Sequence, residues 1–248
     1  FDPEGYSTRW YEILLTFGMQ APDAPRDGSW WSDAWSNAQW VRAAKNSIIS
    51  GFFSTILATA LGTLAALGLS RPEMPYRRAI TAVLISPMIV PLIITATGLF
   101  FFYSQTGLAN TYLGVIMAHA TLGIPFVIIT VTATLVGFDH SLTRAAASLG
   151  ANPTTTFFRI TLPLILPGII SGALFAFVTS FDEVVVVLFV ADFDQQTIPR
   201  QMWNGIREQI SPAILSVATI LVIVSIALLT TVELLRRRSE RLRGVSPQ

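Results

Sequence analysis

Thr143-Arg144-Ala145-Ala146-Ala147-Ser148-Leu149-Gly150-Ala151-Asn152-Pro153 is followed by Arg159-Ile160-Thr161-Leu162-Pro163 and by Pro167-Gly168. The stretch lies between two long apolar runs, and it is too polar and too broken to cross a membrane itself. Small residues make one short helix from Ala145 to Leu149. Gly150 stops that helix in a left-handed conformation. Asn152 then reads as an N-cap and Pro153 as the first residue of a second short helix. Two short helices therefore meet at an angle on one side of a membrane, with an Ala/Gly face that another protein can approach closely. An ordinary surface helix between two spans is the alternative that spacing alone leaves open.

Composition agrees with the membrane setting. Of 248 residues, 52% are hydrophobic and only 12% are charged, about half the roughly 25% of soluble domains. The apolar residues come in runs that a soluble core does not need. The net charge of +1 carries no signal for nucleic acid, and the absence of cysteine excludes disulfides and thiol chemistry.

The chain divides into an outer segment, five spans and a tail. Residues 1–45 read as a polar, aromatic loop in which Pro3, Gly5, Pro22, Pro25 and Gly28 break any long helix. Trp10, Trp30, Trp31, Trp35 and Trp40 lie here, and Trp203 lies in a later loop placed on the same side. Two readings stand for this aromatic layer: interfacial anchoring and docking of a partner. The expected spans are Ile48–Leu69, Ala79–Phe102, Leu113–Val136, Leu162–Val190 and Ala213–Val232. Each is long enough for a hydrocarbon core of ~30 Å. Ala58, Gly62 and Ala66 form a small-residue stripe on the first span, suited to close packing. The membrane bundle covers residues 46–236, with the loop between spans at about 139–161 and a tail at 237–248.

Arginine fixes the orientation. Arg71, Arg77, Arg78, Arg144, Arg159, Arg236, Arg237, Arg238, Arg241 and Arg243 fall on one side, ten in all. The other side holds six basic residues, Arg9, Arg26, Arg42, Lys45, Arg200 and Arg207. It also holds nine acids, Asp2, Glu4, Glu12, Asp23, Asp27, Asp33, Asp192, Asp194 and Glu208. The positive-inside rule then puts the Thr143–Pro153 stretch and the C-terminus in the cytoplasm and residues 1–45 outside.

Polar and helix-breaking residues inside the spans are the candidate site. Pro87 and Pro91 interrupt the second span; His119, Thr121, Gly123 and Pro125 lie in the third. Simple kinks and a packed, hydrogen-bonded histidine are the bland account of these. Ser180-Phe181-Asp182-Glu183 places two acids about eight residues, or ~12 Å, inside the fourth apolar run. A carboxylate at that depth costs at least ~2.5 kcal/mol and must face a cavity or a partner. It is either a structural pair with a backbone break or an Arg of another subunit, or the contact for a cation in a pathway. Beyond it, Ile198, Met202, Ile206 and Ile210 recur every fourth residue, an amphipathic interfacial helix on the outer side. Ser211-Pro212 caps and opens the last span.

These motifs resemble a known family. Ala145-Ala146, two residues, Leu149-Gly150-Ala151 and later Leu162-Pro163 are similar to the cytoplasmic coupling loop of ABC-importer permeases, with Arg144 where that family usually has Glu. The stretch Ser180–Pro212 resembles the closing third of polyamine-type permeases. The resemblance implies an all-α, polytopic type I ABC-importer bundle, with five spans visible and a first span expected upstream of Phe1. It implies a multi-pass protein of the bacterial inner membrane. Arg144, Ala145, Ala146, Leu149, Gly150 and Ala151 are then the ATPase-coupling residues; Asp182, Glu183 and His119 are candidates for the substrate pathway. Expected partners are a second permease subunit, ATP-binding subunits, a periplasmic substrate-binding protein and the bilayer, with no nucleic acid. No catalytic residue, cofactor or metal is expected. ATP hydrolysis belongs to separate subunits, since the single Lys45 lies in Ala43-Ala44-Lys45-Asn46 with no P-loop glycine before it. Polyamines are the expected cargo, while amino acids, opines and aminophosphonates remain open. The rival class is an ion-coupled secondary transporter or channel. It usually shows internal inverted repeats, which are not visible here, and has no use for a coupling loop. A purely structural scaffold is disfavoured by the acids at membrane depth.

Overall fold

A computed structural model describes residues 7–71, 73–139, 141–208 and 211–242, without the side chains of 208, 228, 229 and 231–242. Asp2, Pro3, Glu4, Gly5, Ile210 and Arg243, and the side chains of Glu208, Arg236, Arg237, Arg238 and Arg241, lie outside the described residues. Two compact units divide the chain, Arg42–Gln201 and the described parts of Phe1–Val41 with Met202–Gln248.

The larger unit is built around α6, Tyr112–Val136, which contributes Val115, Ala118, Ala120, Val127 and Val131 to the interior. Two long helices flank it: α3, Gln39–Leu69, and α9, Leu162–Asp182. Lipid tails are as apolar as Leu, so these helices gain little from hydrophobicity and much from close contact. Small residues provide that contact. A Cβ on Gly62 would lie 2.7 Å from Val127 Cβ, and one on Gly123 would lie 2.9 Å from Ala176 Cβ. A Cβ on Gly172 would lie 2.8 Å from Val127 Cα. Ala58 and Ala66 are fully buried in the same core, with Ile165 and Ala176 of α9. The Ala58-Gly62-Ala66 stripe thus packs as its spacing predicts.

Among the described residues, three helices are long and apolar enough to cross a membrane: Gln39–Leu69, Tyr112–Val136 and the continuous Pro153–Asp182. Two of the expected spans differ from straight rods. The second is two helices, α4 (Arg77–Ile89) and α5 (Leu92–Thr106), meeting at 102°. Val90 is extended, at φ −68° and ψ 135°. A residue before proline is driven out of the helical region, and Pro91 has no N–H with which to continue the ladder. The fourth span breaks at Glu183, described below. Helix α12, Ala213–Leu242, is apolar over Ala213–Ala227 and opens as expected, with the Ala213 amide donating to Ser211 Oγ at 3.2 Å.

The loop between the third and fourth spans also departs from expectation. Its first helix is α7, Ser141–Ser148. Its second, α8 (Pro153–Thr156), is not separate. It runs through one wide π turn, Phe157–Thr161, straight into α9. Pro163 would clash with the carbonyl four residues back in a regular α-helix. The wide turn removes that register, and Leu162 donates to Phe157 O instead.

In the smaller unit, residues 9–41 are more helical than the loop expected for 1–45. Helix α1, Arg9–Thr16, packs on α12, and α2 covers Gly28–Asn37. Asp27 caps α2 by accepting from the Ser29 and Trp30 amides at 2.9 and 3.1 Å. Asp33 on α2 accepts from Asn37 Nδ2 at 2.6 Å and from the Ala21 amide at 3.0 Å. Those bonds, the Asn37 one foremost, hold its carboxyl below the ordinary range. The clasp is therefore present at neutral pH and weakens as pH falls through that lowered value. Trp30 and Trp40 are buried, whereas Trp31 and Trp35 are 55% and 62% exposed. The aromatic layer is split between internal packing and an outward face.

The close α6–α9 crossing sets a direct expectation. Gly172→Leu should destabilise the bundle by at least ~1–3 kcal/mol through overpacking. Gly98→Ala on α5, whose added Cβ would meet nothing within 4 Å, should be neutral. Thermal unfolding of the two purified variants checks this; equal melting temperatures would refute the crossing.

Candidate functional site

The site begins with a backbone problem. Helix α9 ends at Asp182, Glu183 is extended, and a six-residue helix, α10 (Val185–Val190), follows. So short a helix leaves most of its amides and carbonyls without an internal partner. At membrane depth no water replaces them. The Glu183 carboxylate accepts from the Val185, Val186 and Val187 amides at 2.8, 2.9 and 3.2 Å. At the other end the Arg200 guanidinium donates to Val187 O at 2.8 Å and Ala191 O at 2.5 Å. The Asn110 amide donates to Val190 O at 2.8 Å. An anion at the N-terminus and a cation at the C-terminus also match the helix dipole.

Arg200 lies in the first turn of helix α11, Ile198–Glu208, whose start is itself pinned. Asn46 Nδ2 donates to Asp194 O and Gln196 O, both at 2.8 Å, Tyr112 donates to Asn46 Oδ1 at 2.8 Å, and the Ile198 amide donates to Ser47 Oγ at 2.8 Å. Sequence reasoning treated Arg200 only as an outer-side charge and did not single out Asn46, Ser47 or Tyr112. The available signal was a pair of opposite charges flanking a Val-rich run.

Behind the break lies a buried polar chain. Ser54 Oγ of α3 donates to Ser180 Oγ of α9 at 2.9 Å, and Ser180 Oγ lies 2.7 Å from His119 Nδ1 of α6. His119 Nε2 sits 3.8 Å from Glu183 Oε2. His119 is 1% exposed and does not line the cavity in front of the break.

That cavity holds about 640 Å³, within the range of small-molecule sites. Its walls come from both helix breaks at once: Met88, Pro91 and Leu92 from the α4–α5 bend, and Thr179, Asp182, Glu183 and Val184 from the α9–α10 break. Phe126 of α6 completes it. The adjacent acids are used differently. Glu183 is 6% exposed and committed to α10. Asp182 is exposed to the cavity and makes no hydrogen bond or ion pair among the described residues.

The residues expected to contact an ATPase sit at the opposite end of the Pro153–Asp182 helix. Gly150 is left-handed at φ +82°. Its amide donates to Ala147 O at 3.0 Å, and the Ala151 amide donates to Ala146 O at 3.0 Å. This doubly bonded helix end needs a residue free to take positive φ. Asn152 Oδ1 accepts from the Thr155 amide at 2.7 Å and caps the next helix. Ser141 is the first residue of α7, and its amide donates to Asp139 Oδ1 at 2.8 Å. Arg144, Ala145, Leu149 and Gly150 are exposed, Leu149 at 89%. Ala151 is half-buried and Ala146 is buried, so Ala146 packs inward and does not belong to the open face.

An all-helical, lipid-facing bundle with a cavity between two broken spans and an exposed helical loop defines a membrane permease. The family model for the inner membrane component of binding-protein-dependent transport systems matches residues 41–243. The chain belongs to this family and is a permease subunit of an ABC importer. The spermidine/putrescine transport system permease protein PotC of Haemophilus influenzae is 31% identical over 211 residues, covering 85% of this chain and 82% of that one. The putrescine transport system permease protein PotI of Escherichia coli is 30% identical over 224 residues, covering 88% and 73%. Two solved structures share the fold. A bacterial ABC transporter involved in import of the acidic polysaccharide alginate gives a TM-score of 0.61 at 18% identity, covering 92% of this chain and 90% of that one. The inward-facing MetNI methionine ABC transporter gives 0.60 at 20% identity, covering 84% and 96%.

The capping geometry predicts graded losses. Glu183→Ala should cost about 1–2 kcal/mol for the cap, plus desolvated amides. Glu183→Gln, which keeps one acceptor oxygen, should cost less. Arg200→Ala should destabilise by a similar amount from the other end. Thermal unfolding of the three variants tests the order; Glu183→Ala melting at the wild-type temperature would remove the cap from the account.

Proposed function

We propose that this permease passes small cationic amines of the spermidine and putrescine class, and that Asp182 is the carboxylate they meet inside the membrane. The observation that carries this reading is the free state of Asp182. Its neighbour is consumed by α10, so one carboxylate is left open to a membrane-depth cavity. An unpaired acid there is costly unless a mobile cation shares the space. The rest of the cavity suits the same cargo. A polyamine is a methylene chain with ammonium ends. Leu122, Val178 and Val185 offer apolar walls, and Phe126 offers an aromatic face that attracts cations. The names of the two relatives support the same class.

The partners follow from the fold family. A soluble binding protein delivers the amine from outside, a second permease subunit completes the pathway, and a separate ATPase supplies the drive. The ATPase seat is the exposed α7 face, where Leu149 projects an apolar side chain away from its own chain. Arg144 stands beside it without an ion pair among the described residues and meets an acid of the ATPase.

Two measurements separate these claims. In vesicles holding the reconstituted importer, Asp182→Asn should lower putrescine uptake about tenfold or more, the scale of one charge-assisted hydrogen bond. Uptake of a neutral amino acid should not change selectively. Normal putrescine uptake by the variant would place Asp182 outside the pathway. On the coupling side, Leu149→Ala and Arg144→Glu should each release ATPase subunits during purification without changing the melting temperature of the permease. The Arg144→Glu loss should shrink at high salt as screening grows. Full retention in both variants would move the ATPase seat elsewhere.

A further inference from the structure

A second cavity, of about 440 Å³, opens between α4 and α6 at the arginine-rich end of the unit. Arg77, Arg78, Thr81 and Thr132 line it, and Ile85 and Ile129 form apolar wall; both arginines are exposed. Neither guanidinium makes a hydrogen bond or ion pair among the described residues. Glu73, the acid in the same turn, lines a different cavity together with Arg71. The Thr132 hydroxyl is buried and has no hydrogen-bond partner among the described residues, whereas Thr81 Oγ1 donates to Arg77 O at 2.8 Å. Tyr76, left-handed at φ 52°, puts no side-chain cap on the first turn of α4. Positive charge therefore gathers at the Arg77–Arg78 end, the two threonines follow, and the remaining wall, Leu69, Ile85, Ile128 and Ile129, is apolar. That is the polarity of an amphiphile.

We propose that this cavity binds an anionic phospholipid, with the phosphate held by Arg77 and Arg78 and an acyl chain against Ile85 and Ile129. The inference does not rest on the substrate reading. A soluble anion would use the arginines and leave the apolar interior empty. An acidic side chain of a partner protein is too short to reach that interior. A lipid satisfies both ends, and basic pockets between spans at the membrane boundary are the places where anionic headgroups gather.

The test uses the purified importer complex in nanodiscs of phosphatidylcholine with and without phosphatidylglycerol, and reads retained lipid by native mass spectrometry. The wild-type complex should hold phosphatidylglycerol in preference to phosphatidylcholine. Arg77→Gln with Arg78→Gln should reduce that preference on the order of thirtyfold, the product of two surface arginine contacts. Ile129→Trp, at a position 43% exposed, should fill the apolar wall and also lower retention while leaving both arginines in place. Three results would overturn the proposal. Absence of a lipid preference in the wild type decides against it whatever the variants do. Displacement of the phosphatidylglycerol by inorganic phosphate alone makes this a soluble-anion site. Loss of ATPase subunits from the double variant equally in both lipids, with its lipid retention unchanged, assigns the arginines to a protein contact.

Discussion

A backbone amide or carbonyl inside a bilayer has no water to turn to, and every irregular segment at that depth needs partners from the protein itself. The α9–α10 break exists because Glu183, Arg200 and Asn110 supply them. Removal of any one leaves buried polar groups unpaired. The break in turn exposes Asp182 and opens one wall of the cavity. What looked like two equivalent acids is a division of labour enforced by backbone hydrogen bonding: one acid stabilises a helix end and the other is left available.

The cavity needs a rigid frame, and small residues provide it. Gly62, Gly123 and Gly172 bring α3, α6 and α9 within backbone contact, where dispersion replaces the missing hydrophobic drive. On that frame the α4–α5 bend and the α9–α10 break face the same space. The Ser54–Ser180–His119 chain ties the three helices together directly behind the break, so its geometry does not depend on α10 alone.

One continuous helix, Pro153–Asp182, joins the exposed loop to the cavity. At about 1.5 Å per residue its 30 residues span ~45 Å. The Asn152 cap stands at one end and the free carboxylate at the other. A π turn at Phe157–Thr161 lies close to the loop, where Pro163 forbids a regular ladder, and Pro167 interrupts the ladder again further along. The helix thus links the exposed loop to the cavity wall.

The sequence alone determined the local features, because each depends on a few adjacent residues. The apolar runs, the Gly150 stop, the Asn152 cap and the Ala58-Gly62-Ala66 stripe were all legible, since they follow from residue volume, backbone freedom and near-neighbour hydrogen bonding. So was the cost of two acids in an apolar run. The prolines announced an interruption but not its 102° angle, which depends on how α4 and α5 pack. Only the tertiary structure decided that Ala146 faces inward, that α8 continues into α9, and that Asp182 and Glu183 part ways. The last distinction rests on where α9 breaks, which gives Glu183 the α10 amides, and on two helix breaks from distant parts of the chain meeting in one cavity beside Asp182. Such relations are set by which helices touch, and no local pattern in the chain encodes that contact.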